Sequence, residues 1–125
     1  MISKISKDTV KLMHKLISEE TGGSAGVKDE SLLDSAIENV FQTFDGKELY
    51  PTKEEKGARL GYSLISNHAF VDGNKRIGML IMLSFLELNG IKLNCSDDDI
   101  VCAGLGVASG EMDYEDLLEW VRSHE

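Results

Sequence analysis

The sequence has few cysteines and a single proline, and most of its apolar residues recur at helical spacing. It holds two cysteines, Cys95 and Cys102, and no Cys or His lies near them at metal-ligand spacing, so neither a zinc site nor a disulfide framework is indicated. One proline, Pro51, and helix-type spacing of apolar residues through most of the chain leave little room for strands. The longest apolar run, Ile77 to Leu86, is too short to cross a bilayer and predicts a core helix.

Basic residues are outnumbered by acidic ones. The sequence has 13 Lys and Arg and 22 Asp and Glu, which gives a net charge of -9. Binding to nucleic-acid backbones needs clustered Lys and Arg, so the composition predicts no direct nucleic-acid partner. The start, Met1 to Lys11, lacks the unbroken apolar segment of a signal peptide. We therefore expect a soluble, cytoplasmic protein with no membrane partner.

The apolar spacing predicts an all-α fold, with one domain over residues 1–125 and about six helices. The first helix is expected to bury Val10, Met13, Leu16 and Ile17 on one face. Between the second and third helices, Asp45 and Gly46 predict the turn of a short flap. The expected helices cover about 7–20, 29–42, 53–67, 74–89 and 97–108, followed by a last one capped by Asp113.

The loop from His68 to Arg76 reads HAFVDGNKR and lies between two of these helices. A helix that begins after Gly73 presents unpaired N–H groups and a positive dipole end, which suit phosphate oxygens. Lys75 and Arg76 at the same helix start oppose the dipole, and a bound anion would remove that penalty. The pattern predicts phosphate binding by Gly73, Lys75 and Arg76.

Two further side chains of the loop suit phosphate chemistry. His68 could accept a proton from a hydroxyl as a general base, and Asp72 could hold a magnesium ion. Taken singly, His68 could be a surface group and Asp72 a helix cap. Their combination with two cations favours catalysis, and Phe70 is expected to point into the core and fix the loop.

The loop resembles the signature of the Fic/Doc family, HxFxDGN followed by Gly or Lys and then Arg. Lys75 stands where adenylyl-transferring Fic proteins carry a second glycine, so the resemblance is to the Doc branch, the death-on-curing toxins. Four other stretches share Doc-like patterns: Gly22 to Ile37, Glu48 to Thr52, Phe85 to Gly90 and Ala108 to Glu111.

The resemblance implies a helical fold in which the loop joins two central helices, and transfer of a nucleotide-derived group to a protein hydroxyl. It implies ATP as the substrate nucleotide and Mg²⁺ as the metal. By this likeness His68 is the base and Asp72 the metal ligand, while Asn74 contacts phosphate or fixes the loop. Lys75 and Arg76 contact phosphates.

Two positions bear on which group is transferred. In the Doc branch a lysine at the position of Lys75 is associated with reversed ATP binding and transfer of the γ-phosphate. Met79 stands where Fic transferases usually carry a second arginine, which weakens the interpretation as an adenylyltransferase. The resemblance suggests a toxin kinase acting on a translation factor, with elongation factor Tu as the candidate target. The alternatives are a protein adenylyltransferase and a non-catalytic partner that binds an antitoxin and helps to repress its operon.

The sequence has no match to the self-inhibiting motif of Fic proteins, which is Ser or Thr, three residues, Glu, then Gly or Asn. We therefore expect a separate antitoxin, whose disordered tail folds into a groove beside the flap. His14 and His124 have no chemistry-bearing neighbours in sequence and are interpreted as structural or surface groups. The acidic run Asp97 to Asp99 is interpreted as a solvated helix start.

Overall fold

Helices make up most of the regular structure in the computed structural model, which describes residues 2–23 and 26–125. Within these ranges the helices are α1 (Lys7–Thr21), α2 (Glu30–Glu38), α3 (Lys53–Asn67), α4 (Asn74–Leu88), α5 (Asp97–Ser109) and α6 (Tyr114–Ser123). A 3-10 turn, Asn39–Phe41, follows α2, and the strands β1 (Thr43–Phe44) and β2 (Lys47–Glu48) form the flap. The predicted all-α fold with six helices and a short flap before the third helix is confirmed.

Three of the helices begin with reciprocal capping boxes, in which each of two residues satisfies the backbone N–H of the other. At the start of α3, Thr52 Oγ1 accepts from Glu55 N at 3.1 Å while Glu55 Oε1 accepts from Thr52 N at 3.3 Å. The same arrangement opens α5 with Ser96 and Asp99, and α6 with Asp113 and Asp116. Local sequence therefore fixes where these helices start, independently of the packing between them.

The antiparallel helices α3 and α4 lie at the centre, and glycines let their backbones approach closely. A Cβ atom on Gly61 would lie 3.0 Å from Met82 Cβ, and one on Gly78 would lie 2.5 Å from Ile65 Cγ1 and 3.0 Å from Gly61 O. The run predicted to be a core helix lies in α4, with Ile77, Ile81, Met82, Phe85 and Leu86 all buried. No helix in the described ranges has the length and apolar character needed to span a membrane.

The buried face of α1 includes the predicted Val10 and, in part, Met13 and Ile17, but not Leu16. Val10, His14 and Ser18, spaced four residues apart, are buried against the rest of the fold, whereas Leu16 is 54% exposed. The prediction of Leu16 as a core residue was wrong because it followed apolar residues alone, while the helix turns a polar histidine inward. That histidine contacts the loop between α3 and α4.

The flap is a two-stranded antiparallel hairpin that pairs Thr43 with Glu48. Asp45 and Gly46 at its tip have φ of 53° and 78°, as a type I′ turn requires. The buried side chain of Lys56 joins the flap to α3, since its Nζ donates to Glu48 Oε1 at 2.9 Å and to the backbone oxygen of Tyr50. A lysine inside α3 thus sets the position of the hairpin.

The close crossing of α3 and α4 can be tested by replacing Gly78 with Ala. Alanine favours a helix over glycine by about 1 kcal/mol, but its methyl group would overlap Ile65. We expect Gly78→Ala to lower the free energy of unfolding by about 1–3 kcal/mol, the usual cost of overpacking. Urea denaturation measures the change.

Gly104→Ala is the matched control, because a Cβ on Gly104 would meet Met79 Cγ at 3.3 Å and backbone only at 3.7 Å. This variant should be close to the parent in stability. If the Gly78→Ala protein were as stable as the Gly104→Ala protein, the glycine at position 78 would not be needed for the close approach of α3 and α4.

Candidate active site

The loop between α3 and α4 turns on two residues in the left-handed conformation. His68 ends α3 with φ 52° and ψ 47°, and Gly73 precedes α4 with φ 76° and ψ 18°. Glycine adopts this conformation readily, whereas a residue with a side chain does so at a cost. The side chain of His68 is exposed, so the turn presents the imidazole to solvent at the end of α3.

An extended segment before α2 holds the middle of the loop. Val27 and Phe70 form an antiparallel bridge. Backbone hydrogen bonds run from Lys28 N and Asp29 N to Ala69 O, at 2.8 and 3.1 Å, and from Val71 N to Gly26 O at 3.2 Å. These contacts join residues at least 40 positions apart, and no pattern within the loop itself predicts them.

Asp29 carries this segment directly into α2. Its Oδ1 caps the helix by accepting from Ser31 N and Leu32 N at 3.0 and 3.1 Å, and it also accepts from the Ser31 hydroxyl. These donors, the Ser31 hydroxyl first, hold the pKa of the Asp29 carboxyl below its usual range. Asp29 therefore has two roles: its side chain caps α2, and its backbone N–H holds the loop.

Asn74, the first residue of α4, fastens the loop from the other side. Its Oδ1 accepts from Phe70 N at 3.1 Å and its Nδ2 donates to Phe70 O at 3.0 Å. Both ends of the side-chain amide are thus engaged with the backbone of one residue. Of the two roles that the family resemblance implied for Asn74, the geometry favours fixing the loop.

Phe70 and His14 pack together on the core side of the loop. Phe70 is buried, as predicted, and its ring stacks on the buried His14 ring with centroids 3.8 Å apart and an angle of 14° between planes. His14 Nε2 lies 2.6 Å from the backbone oxygen of Asp72, and because a carbonyl only accepts, Nε2 carries the proton. His14 is buried and structural, as interpreted. It does, however, contact the loop that carries the predicted site residues, which its neighbours in sequence did not indicate.

Asp72 places one carboxylate oxygen against the loop and leaves the other open. Oδ1 accepts from Gly73 N at 2.8 Å, and Oδ2 makes no hydrogen bond to any residue in 2–23 or 26–125. Gly23 lies beside it, since a Cβ there would be 3.0 Å from Oδ2. The described residues contain no group of three or more His, Cys, Asp or Glu able to hold a metal.

The start of α4 offers backbone donors and two cations. The first helical hydrogen bond runs from Ile77 N to Gly73 O at 2.9 Å, so the N–H groups of residues 74–76 precede the helical ladder, and no side chain caps the helix. Lys75 and Arg76 are exposed, and neither pairs with a carboxylate among the residues that the structure describes. Together these groups favour an anion.

A groove of about 960 Å³ runs from this helix start between α1, α4 and α5. It brings together four of the predicted site residues, Asp72, Gly73, Lys75 and Arg76, but His68 and Asn74 do not line it. Residues that the sequence did not predict as site residues complete the lining, among them Gly22, Gly23, Ile100, Val101, Gly104 and Leu105. No flap residue lines this groove, so the expected antitoxin groove beside the flap is a different surface.

The helical fold and the sequence of the loop agree with a match between residues 4–86 and the model of the Fic/DOC family. The chain belongs to the Fic/DOC family. It is also 42% identical over 77 residues to Toxin Doc of Mycolicibacterium smegmatis, which places it in the Doc branch. That alignment covers 62% of this chain and 59% of the relative, so the chain spans well under two thirds of the relative's length.

The role of Asn74 in fixing the loop can be tested with Asn74→Ala. Loss of two hydrogen bonds to Phe70 should lower the free energy of unfolding by about 1–3 kcal/mol and speed exchange of the Phe70 amide hydrogen. Asn67→Ala is the control, because that side chain makes no hydrogen bond to a described residue. Equal exchange at Phe70 in the two variants would contradict the role.

Proposed function

We propose that the chain is a Doc-type toxin that transfers the γ-phosphate of ATP to a hydroxyl of a protein. The observation that carries the proposal is the start of α4. Among the described residues its first backbone N–H groups have no partner in the helix and Lys75 and Arg76 pair with no carboxylate, and both cations line the groove beside Asp72. Phosphoryl transfer depends on positioning and on neutralising charge, and these groups offer both.

In this proposal His68 is the general base. The hydroxyl oxygen of the target bonds to the γ-phosphorus, the bond from that phosphorus to the bridging oxygen breaks, and ADP leaves with the electron pair. The hydroxyl proton passes to His68. An exposed imidazole at the end of α3 is accessible to a protein substrate.

The free oxygen of Asp72 fits a magnesium ion that is shared with a nucleotide. Mg²⁺ is commonly held by one or two carboxylates together with substrate phosphates, so a three-residue cluster is not required. When bound, the ion would offset charge on the phosphates. Gly23 lies beside Oδ2 and has no side chain of its own to occupy that space.

Two residues favour phosphate transfer over adenylyl transfer. Lys75 stands where adenylyl-transferring relatives have a glycine, and it places a long side chain in the first turn of α4. Met79, one turn further along, is 2% exposed and lines the groove, so no second arginine neutralises a triphosphate there. The groove therefore has cations at one end and an apolar wall beyond them. This arrangement suits binding of a terminal phosphate better than enclosure of a whole triphosphate.

The proposed target is a translation elongation factor, with elongation factor Tu as the candidate, and the proposed site of action is the cytoplasm. We also propose that a separate antitoxin restrains the toxin. The name of the relative, Toxin Doc, supports a toxin and antitoxin pair. The acidic balance of the chain supports a protein rather than a nucleic acid as the partner.

Transfer can be tested by incubating the protein with Mg²⁺, elongation factor Tu and ATP labelled at either the γ or the α phosphate. We expect label from the γ position alone. His68→Ala should lower the rate at least about 100-fold, as loss of a general base does, and Asp72→Ala should abolish the magnesium-dependent activity. Asn67→Ala, beside His68 in sequence, is the control and should keep its activity.

Label from the α position would identify an adenylyltransferase instead. Absence of transfer from both nucleotides would reject elongation factor Tu as the substrate. If growth arrest by the expressed chain persisted with His68→Ala, the protein would act without this catalytic base, as the non-catalytic alternative requires.

A further inference from the structure

We propose that His14 is a positioning residue of this site, which holds the Asp72–Gly73 peptide in the orientation that directs the Asp72 carboxylate and the start of α4 toward a magnesium nucleotide. The role rests on the proposed function. It concerns a residue of α1, more than 50 positions before the loop, that touches no reacting atom.

The contact is specific in its geometry. His14 is 2% exposed, its ring stacks on Phe70, and its Nε2 donates to the backbone oxygen of Asp72 at 2.6 Å. The helical ladder of α4 does not use this oxygen, since its first acceptor is Gly73 O. Among the described residues, His14 is therefore the donor that fixes this carbonyl.

Fixing the carbonyl also fixes the carboxylate. In a planar trans peptide the C=O of Asp72 and the N–H of Gly73 point in opposite directions, so His14 sets the direction of the Gly73 N–H. That N–H donates to Asp72 Oδ1 at 2.8 Å. Oδ1 is thereby held and Oδ2 is left on the side of Gly23 and the groove.

Without a donor at this point the peptide has a second orientation. Glycine accepts positive and negative φ, so Gly73, here at 76°, would not resist rotation of the peptide plane. The rotated peptide would turn the carbonyl oxygen toward the phosphates and would release Oδ1. His14 selects the orientation that binds an anion.

The competing explanation is that His14 only fills space beneath Phe70. The isosteric pair His14→Gln and His14→Met separates the two explanations, because both variants lose the ring and only Gln can donate. His14→Phe is the complement, since it keeps a ring against Phe70 and lacks the donor. Asp72 and Gly73 are unchanged in all three proteins.

Two measurements on the full chain give the readout: hydrogen exchange of the Gly73 amide in the free protein, and calorimetric binding of ADP with Mg²⁺. For His14→Met and His14→Phe we expect faster exchange at Gly73 and about tenfold weaker Mg²⁺-dependent ADP binding, the scale on which supporting contacts act on metal affinity. His14→Gln should recover most of both. Urea denaturation compares the stability of the Gln and Met variants.

The proposal is overturned if Gln and Met behave alike, because loss of packing would then account for both. It is also overturned if His14→Phe matches the parent in both measurements. If the parent protein fails to bind ADP with Mg²⁺, the proposed function fails, and exchange at Gly73 still decides whether His14 holds the peptide. If His14→Phe does not fold, the Gln and Met pair decides.

Discussion

The close approach of α3 and α4 at Gly61 and Gly78 is the constraint on which the site depends. A Cβ at Gly78 would lie 2.5 Å from a side-chain carbon of α3, so any larger residue would move the two helices apart. The loop His68 to Gly73 joins these helices, and its ends are therefore held by the packing of the core. A helix start that is to bind an anion needs this rigidity, because its N–H groups act together only when they converge on one point.

The second requirement is electrostatic. A chain with a net charge of -9 keeps Lys75 and Arg76 free of carboxylate partners among its described residues and places them where the helix dipole disfavours cations. Three of its other lysines are paired: Lys7 and Lys11 contact Glu30, and the buried Lys56 contacts Glu48. Lys75 and Arg76 stand together at the groove and favour an incoming polyanion locally despite the negative surroundings.

The parts of the fold that follow local rules could be predicted from the sequence. Capping boxes at Thr52 and Ser96, the Asp45–Gly46 turn and the motif of the loop each depend on residues a few positions apart. His14 could not be found in this way, since its partners Phe70 and Asp72 lie more than 50 residues along the chain. The same reason explains the error at Leu16, because tertiary contacts decided which side of α1 is buried. The spacing of Val10, His14 and Ser18 was the available signal, and it was hidden by the polarity of two of them.

His68 does not line the groove, and this bears on how the proposed reaction would be controlled. Asp72, Gly73, Lys75 and Arg76 line the groove, whereas the exposed His68 ends α3 outside its lining. A nucleotide held by Asp72, Gly73, Lys75 and Arg76 would have no general base next to it until a hydroxyl group lies between the nucleotide and the imidazole of His68. In the proposed kinase, the protein target supplies that hydroxyl, so target binding completes the site and limits wasteful transfer to water. Specificity would then be set by the surface around His68, and phosphate binding by the chain itself.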